Sequence, residues 1–329
     1  MRLYWLPDSN QPSALAYVLG DARGVYEDLS PRDTSAIRAL ANGEVVPKAA
    51  VVEWLREHQL LDELPAQSPT LDHDISRQIV AYSTFCSTAK ATSIHQHIRS
   101  ARVLLVGMGG AGCNVAQQLL GLGVQRFTLI DPDIVEYSNL NRQILYSAND
   151  IGLPKVSAAA KALASRGFSD VDVTPLKMNF LDWRPSSSTV QEFDLAIVSA
   201  DSDPVALRRR ASSIFYAAKV PHAFLGYSGT RANIGPIVFD FDHGCGNCFL
   251  HSIDFAGRME VVFGSTHHNI APSSASINGM LAAIVADIWP RYLAGAGHSS
   301  GIWKCDLSEP KLWHKELSRL STCPVCADG

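Results

Sequence analysis

A glycine-rich turn, an acidic strand end and a polar tail follow one another in the run VLLVGMGGAGCNVAQQLLGLGVQRFTLIDPDIVEYSNLNR, residues 103–142. Gly107, Gly109, Gly110 and Gly112 come after an apolar β-type stretch and open a helical pattern. Without a Cβ they let backbone N–H groups approach an anionic phosphate at a helix N-terminus. Asp131 ends the next predicted strand, about 20 residues on, where a carboxylate accepts from ribose hydroxyls. So far the pattern would serve a nicotinamide dinucleotide equally well. The continuation through Asp133, Glu136, Asn139, Asn141, Arg142 and Gln143 does not. Arg142, and Lys155 after the turn Gly152-Leu153-Pro154, are placed to reach ATP phosphates. A cation there neutralises charge building up on the α-phosphate and on the pyrophosphate leaving group. Asp201 follows the predicted strand 194–199. A carboxylate at a strand C-terminus, in the ligand crevice of an open α/β sheet, is a natural Mg2+ ligand; the plainer alternative is a cap for the next helix.

The cysteines form a second constellation. Cys245 and Cys248, then Cys323 and Cys326, make two C-x-x-C hooks. Together they supply four sulfurs for a tetrahedral Zn2+, and with no open ligand position the metal would be structural. Two separate reduced pairs, or a redox C-x-x-C, is the competing reading. Seven cysteines is an odd number, and in a cytosolic chain two such hooks favour metal over disulfides. Of the remaining Cys86, Cys113 and Cys305, Cys113 opens the phosphate-loop helix, where small buried packing is its expected role.

The elements that must position these groups follow from the apolar patterning. Strands are predicted at 102–107, 126–131, 171–176, 194–199 and 221–226, with helices at 111–122, 155–166 and 204–218. Alternating strands and helices imply an α/β class fold, a Rossmann-like doubly wound and mainly parallel sheet. Further strands are predicted at 233–240 and 301–306, and a long apolar helix at 274–294. Residues 1–70 read as a separate small module, ahead of the main domain 71–329. In that module Ser30 and Pro31 start one helix, and Pro47 opens another with Val51, Val52, Trp54 and Leu55 as its apolar stripe. Residues 62–68 resemble a linker. The segment 72–98 is predicted as one helix, with Ile75, Ile79, Tyr82 and Phe85 on one face. At 329 residues and 47% hydrophobic content the chain can form a substantial core. A net charge of −4 argues against a nucleic-acid partner. No apolar run predicts a membrane span, and MRLYWLPDSN lacks the features of a signal peptide, so the expected location is cytoplasmic.

The combined pattern resembles the ThiF/MoeB/ubiquitin-activating superfamily of adenylating enzymes, over roughly residues 75–329. It consists of GxGGxG, Asp131-x-Asp133-x-Val135-Glu136, Ser138-Asn139-Leu140-Asn141-Arg142-Gln143, Gly152-x-Pro154-Lys155 and Asp201. The resemblance implies that Asp131 holds the ribose and that Arg142, Gln143 and Lys155 contact phosphates. It also implies that Asp201 holds Mg2+, that Asn139 and Asp133 shape the floor of the site, and that the four hook cysteines hold zinc. Arg77, in Ser76-Arg77-Gln78, matches an arginine that the family supplies from the partner subunit, which implies a homodimer with shared sites. On helix propensity alone Arg77 would be a solvated side chain.

The added N-terminal module resembles a small winged-helix-like peptide clamp. The arrangement is similar to the branch that modifies ribosomally made precursor peptides, including a microcin C peptide nucleotidyltransferase and a pantocin A cyclase. Ser199-Ala200-Asp201, Gly226-Tyr227, Gly235-Pro236, Ala271-Pro272, Gly301-Ile302-Trp303 and the closing Cys323-Pro324-Val325-Cys326 carry a local likeness to the first of these. The implied reaction is attack of a peptide carboxylate on the α-phosphate of ATP. Cyclisation or dehydration of the peptide would follow, with nucleotidylation of its C-terminus as the alternative. Ubiquitin-type activators carry a thioester cysteine after the first zinc hook, and residues 249–272 contain no cysteine. That disfavours a covalent thioester step. It leaves adenylation of a ubiquitin-like sulfur carrier as a lesser alternative. Arg231, His251, Arg258, His267 and His268 are read as crossover residues that differ from the nucleotidyltransferase pattern.

Overall fold

The computed structural model describes residues 2–8, 11–19, 22–26, 30–42, 48–57, 76–166, 170–200, 203–228, 230–252, 273–297, 300–309 and 311–327. Asp201 and the crossover positions Arg258, His267, His268 and Ala271-Pro272 lie outside them, as do Pro47, Ile75 and the linker 62–68. The chain divides into two compact units, residues 1–95 and 96–329.

The first unit begins with a three-stranded antiparallel sheet that the apolar pattern did not predict: β1 (Arg2–Asp8), β2 (Gln11–Leu19) and β3 (Ala22–Tyr26). Two helices follow, α1 (Pro31–Asn42) and α2 (Ala50–Glu57). Val51, Val52 and Leu55 are buried, and Trp54 is half-buried. Asp33 ties the two helices together: Ser30 Oγ donates to its Oδ2 at 2.7 Å, and the Val51 N–H donates to its Oδ1 at 2.9 Å.

The predicted single helix over 72–98 is two helices, α3 (Ser76–Tyr82) and α4 (Thr88–Ser100). Short polar side chains explain the break. Ser83 Oγ donates to Ile79 O at 2.9 Å, Thr84 Oγ1 to Ala81 O at 2.7 Å and Cys86 Sγ to Tyr82 O at 3.3 Å. Such local bonds compete for the carbonyls a continuing helix needs. Ser87 then starts the next helix, its Oγ accepting from the Lys90 N–H at 3.3 Å.

The second unit is built on an eight-stranded sheet. In chain order its elements are β4 (Arg102–Val106), α5 (Gly110–Leu122), β5 (Arg126–Ile130), α6 (Lys155–Arg166), β6 (Asp172–Leu176), α7 (Ser187–Gln191), β7 (Leu195–Val198), α8 (Pro204–Ala217), β8 (His222–Ser228), β9 (Arg231–Val238), α9 (Gly246–Ser252), α10 (Ala275–Ala294), β10 (Gly301–Asp306) and β11 (Lys311–Lys315). The strand order is β11-β10-β9-β8-β7-β4-β5-β6. Pairing from β6 to β8 is parallel, and from β8 to β11 antiparallel. The order reverses between β4 and β7, the switch point at which open α/β sheets bind ligands. Leu104, Val106, Ala196, Val198 and Phe224 of the sheet form one buried cluster with Leu207, Ala211 and Phe215 of α8. Arg231 begins β9 rather than lying in the crossover, and its Nε donates to Asp306 Oδ2 at 2.9 Å.

His222 is fully buried at the start of β8, its ring 5.5 Å from that of Phe215 and 5.7 Å from that of Phe224. Nδ1 lies 2.8 Å from Val220 O, which a neutral ring satisfies by donating. Burial pushes the imidazole from 6.5 down to about 4. Between those values the unfolded chain binds the extra proton, so stability is full above the unfolded value and falls as acid is added. The shift corresponds to about 3 kcal/mol. Denaturant titrations at pH 7 and pH 4.5 should show this loss in the native chain and a smaller one in His222→Leu; equal losses would rule it out.

Candidate functional site

The phosphate loop leaves β4 at Gly107 and enters α5 at Gly110. Gly107 has φ +92°, and a Cβ there would stand 2.6 Å from Ala200 N. A Cβ on Gly112 would collide with the Gly107 carbonyl oxygen. The loops after β4 and β7 are also tied by Ser199 Oγ, which donates to Gly107 O at 3.0 Å. Gly109 caps α5 without any side-chain bond, so the first-turn N–H groups have no side chain competing for them.

Asp131, buried just beyond β5, organises the loop from beneath. Its Oδ2 accepts from the Met108 N–H at 2.6 Å and its Oδ1 from the Asp133 N–H at 2.8 Å. Burial pushes the Asp131 carboxyl above its ordinary value, against the pull of the Met108 N–H, the Lys155 charge and the Asp133 N–H. The Met108 carbonyl is held by Tyr146 Oη at 2.8 Å and faced by Cys113 Sγ at 3.4 Å. Sequence reasoning missed Tyr146, because no spacing rule links a phenol to a glycine loop so far upstream. Burial pushes the Cys113 thiol up to about 12, which keeps it protonated and inert.

A short antiparallel contact places Lys155. Ile134 bridges to Pro154, the Val135 N–H donates to Leu153 O at 2.9 Å and the Gly152 N–H to Val135 O at 2.9 Å. Lys155 therefore stands beside Asp133, with Nζ 2.8 Å from Asp133 Oδ2. Asn139 shapes the polar tail. Its Oδ1 accepts from the Glu136 N–H at 3.1 Å, and its carbonyl accepts from the Arg142 and Gln143 N–H groups at 3.1 and 2.9 Å. The Arg142 guanidinium donates to Ser138 O and Asn141 Oδ1, each at 2.9 Å. Gln143 is buried, and its Nε2 lies 4.0 Å from where a Cβ of Gly109 would be. Arg77 is exposed on α3, in the first unit.

The four hook cysteines converge. Their sulfurs all lie within 4.8 Å of one another and are buried. Cys245 and Cys323 sulfurs are 3.7 Å apart, Cys245 and Cys248 4.0 Å, and Cys248 and Cys326 3.3 Å. Tetrahedral zinc with Zn–S of about 2.3 Å needs S···S separations of roughly 3.8 Å, so the donor set fits. Asn247 Nδ2 donates to Cys323 Sγ at 3.4 Å and the Leu320 N–H to Cys248 Sγ at 3.5 Å. Burial would raise the Cys323 thiol, but bonds from Asn247, Val325 and Cys326 outweigh it and bring the thiol down to about 6. Tyr216, Val238, Ile302 and Leu317 enclose the cluster.

Residues 75–323 match the ThiF family. The chain belongs to it. The molybdopterin-synthase adenylyltransferase of Escherichia coli (strain K12) is 40% identical over 235 residues, 70% of this chain and 88% of that protein. A crystal structure of E. coli MccB with MccA-N7isoASN superposes with a TM-score of 0.75 at 19% identity, covering 99% of this chain and 97% of that one. MccB with ATP gives 0.68 at 22% identity, covering 89% and 85%. A crystal structure of PaaA gives 0.67 at 24% identity, covering 81% and 91%. These structural likenesses establish a shared fold. With the family match and the adenylyltransferase relative, this ThiF-family chain is an ATP-dependent adenylating enzyme. Among the described residues no helix is long and apolar enough to cross a membrane.

Proposed function

We propose that this ThiF-family enzyme adenylates a carboxylate of a ribosomally made precursor peptide, and that the activated peptide is then cyclised or dehydrated in antibiotic biosynthesis. The observation that carries this reading is the extent of the likeness to MccB, 99% of the chain, when the family match itself begins only at residue 75. The N-terminal unit is thus part of a shared fold, and a structure of the same protein holds N-formylated MccA. In our reading that unit is the peptide clamp.

A carboxylate is ionised near neutral pH and needs no general base. Catalysis then rests on positioning and on charge stabilisation. The glycine loop N–H groups receive phosphate, Asp131 holds the ribose, and Arg142, Gln143 and Lys155 face the phosphates. Mg2+, held by Asp201, would add charge neutralisation at the phosphates. Zinc in the four-cysteine cluster would tie the C-terminal hook to the sheet, with no part in the reaction.

Two further readings have observations in their favour. Nucleotidylation of the peptide C-terminus is supported by the fold shared over 99% of the chain with MccB, a microcin C7 biosynthetic enzyme. Adenylation of a sulfur carrier protein is supported by the 40% identity to the molybdopterin-synthase adenylyltransferase. Incubation of enzyme and ATP with the short peptide encoded beside its gene separates them. Loss of one or two waters from the peptide indicates cyclisation, and added nucleotide mass indicates nucleotidylation. An unchanged peptide, with a β-grasp carrier adenylated instead, would replace the main proposal.

We also propose a homodimer. Ile134, Tyr137, Ile144, Ile151 and Leu153 are exposed large apolar residues within the stretch that carries the phosphate-facing side chains. In that dimer, by the resemblance to the family, the partner subunit's Arg77 would act at the nucleotide. Arg77→Ala should then be inactive alone but partly active when co-assembled with a Lys155 variant, through one intact shared site. Inactive verified heterodimers would remove Arg77 from this role.

A further inference from the structure

Gly110, the first residue of α5, has a buried amide against it. A Cβ built on Gly110 would stand 2.7 Å from Cγ, Nδ2 and Oδ1 of Asn278 alike. Equal separation from three atoms puts Gly110 over the face of that amide. Asn278 lies in the first turn of α10 and is 0% exposed. Its Nδ2 donates to Ser273 Oγ at 3.0 Å and to Ser274 O at 2.7 Å, which fixes the amide plane. Its Oδ1 is buried and finds no hydrogen-bond partner among the described residues. On the carbonyl side, Asn114 Nδ2 donates to Gly110 O at 2.8 Å and to Arg142 O at 3.3 Å. Gly110 is therefore held between two buried amides, one of which also reaches the backbone of Arg142.

A buried carbonyl oxygen without a donor is destabilising. The Nδ2 bonds of Asn278 hold the flat amide against Gly110, a place that a bulkier, tetrahedral side chain such as leucine would not fit. The first-turn N–H groups of α5 point where Gly110 puts them, and they are the groups that would meet phosphate.

We propose that Asn278 is a positioning residue for the nucleotide phosphates: its amide, packed flat on Gly110, sets the place of that glycine and so the direction of the first-turn N–H groups of α5. This rests on reading the glycine loop as the ATP phosphate site.

The test is calorimetric titration of the full chain and its variants with ATP, AMP and adenosine, beside thermal melts without nucleotide. Asn278→Ala should still melt cooperatively, bind ATP at least tenfold more weakly and keep its adenosine affinity. Asn278→Asp, nearly isosteric, should lose ATP affinity more steeply at low ionic strength, because it sets a like charge beside the phosphates; it serves alone if the alanine variant fails to fold. Native ATP affinity in both variants would overturn the proposal. So would an equal loss for ATP and adenosine, or a melting temperature that falls in step with ATP affinity, since those mark a merely structural role. Failure of the native chain to bind ATP would instead overturn the nucleotide reading of the loop.

Discussion

Lys155→Met is expected to slow ATP–pyrophosphate exchange, measured with acceptor present, by about two to three orders of magnitude. The fold should survive the change. Lys155 is 9% exposed at its side chain, and a methionine retains most of that buried stem. Its ion-pair partner Asp133 is 60% exposed, so the carboxylate left behind stays hydrated and loses little. What disappears is a desolvated positive charge that the pairing of residues 152–155 with 133–135 sets beside Asp133. Charge moves onto the α-phosphate and the leaving pyrophosphate as the carboxylate attacks, and a cation already in place stabilises that redistribution without reorganising. Lys155→Arg should rescue poorly, because a rigid planar fork does not place its charge where a flexible stem places a compact ammonium. Labelled pyrophosphate exchange, with a melt of each variant, is the measurement. Native exchange rates in Lys155→Met would take this residue out of the phosphate role.

Removal of zinc, or Cys248→Ser, is expected to have the largest effect on stability. Zinc analysis of the purified chain should give about one ion per chain, as a closed four-sulfur site implies. Structural zinc contributes on the order of 10 kcal/mol at neutral pH. That is comparable with the whole folding free energy of a domain, about 5–15 kcal/mol. Without the ion, four buried sulfurs lie within 4.8 Å of one another, and at most some can be thiolates. The C-terminal hook should then detach from the cluster of Tyr216, Val238, Ile302 and Leu317. A strong chelator should lower the melting temperature by well over ten degrees, and added zinc should restore it. Acid should act in the same direction, since protons compete with the metal for the thiolates. A chain that is zinc-free as purified and melts identically with and without chelator would exclude the clasp.

The parts of the site that were readable in advance are those set by local geometry. A glycine loop announces itself because Gly107 must take a positive φ and Gly112 must admit a carbonyl where a Cβ would sit. The C-x-x-C hooks are readable because two thiolates from one turn suit a single ion. The parallel strands from β4 to β8 alternate with helices and carry strong apolar runs. Other features left no local trace. The strands β1 to β3 carry no clear alternation in RLYWLPD and QPSALAYVL, and the break between α3 and α4 turns on Ser83, Thr84 and Cys86 bonding backward to carbonyls. Tyr146 and Asn278 reach the glycine loop from distant parts of the chain.

Residue types at short spacings were enough to indicate an α/β nucleotide site and two cysteine hooks able to hold one metal, and their combined pattern to suggest the adenylating family, because backbone conformation and ligand chemistry act over a few residues. Which side chains brace the loop was decided only when α10 came to lie against α5 and the segment 152–155 paired with 133–135. Those contacts join residues far apart in the chain, and close packing of two helices or two loops selects them without any repeat or motif that a linear reading could detect.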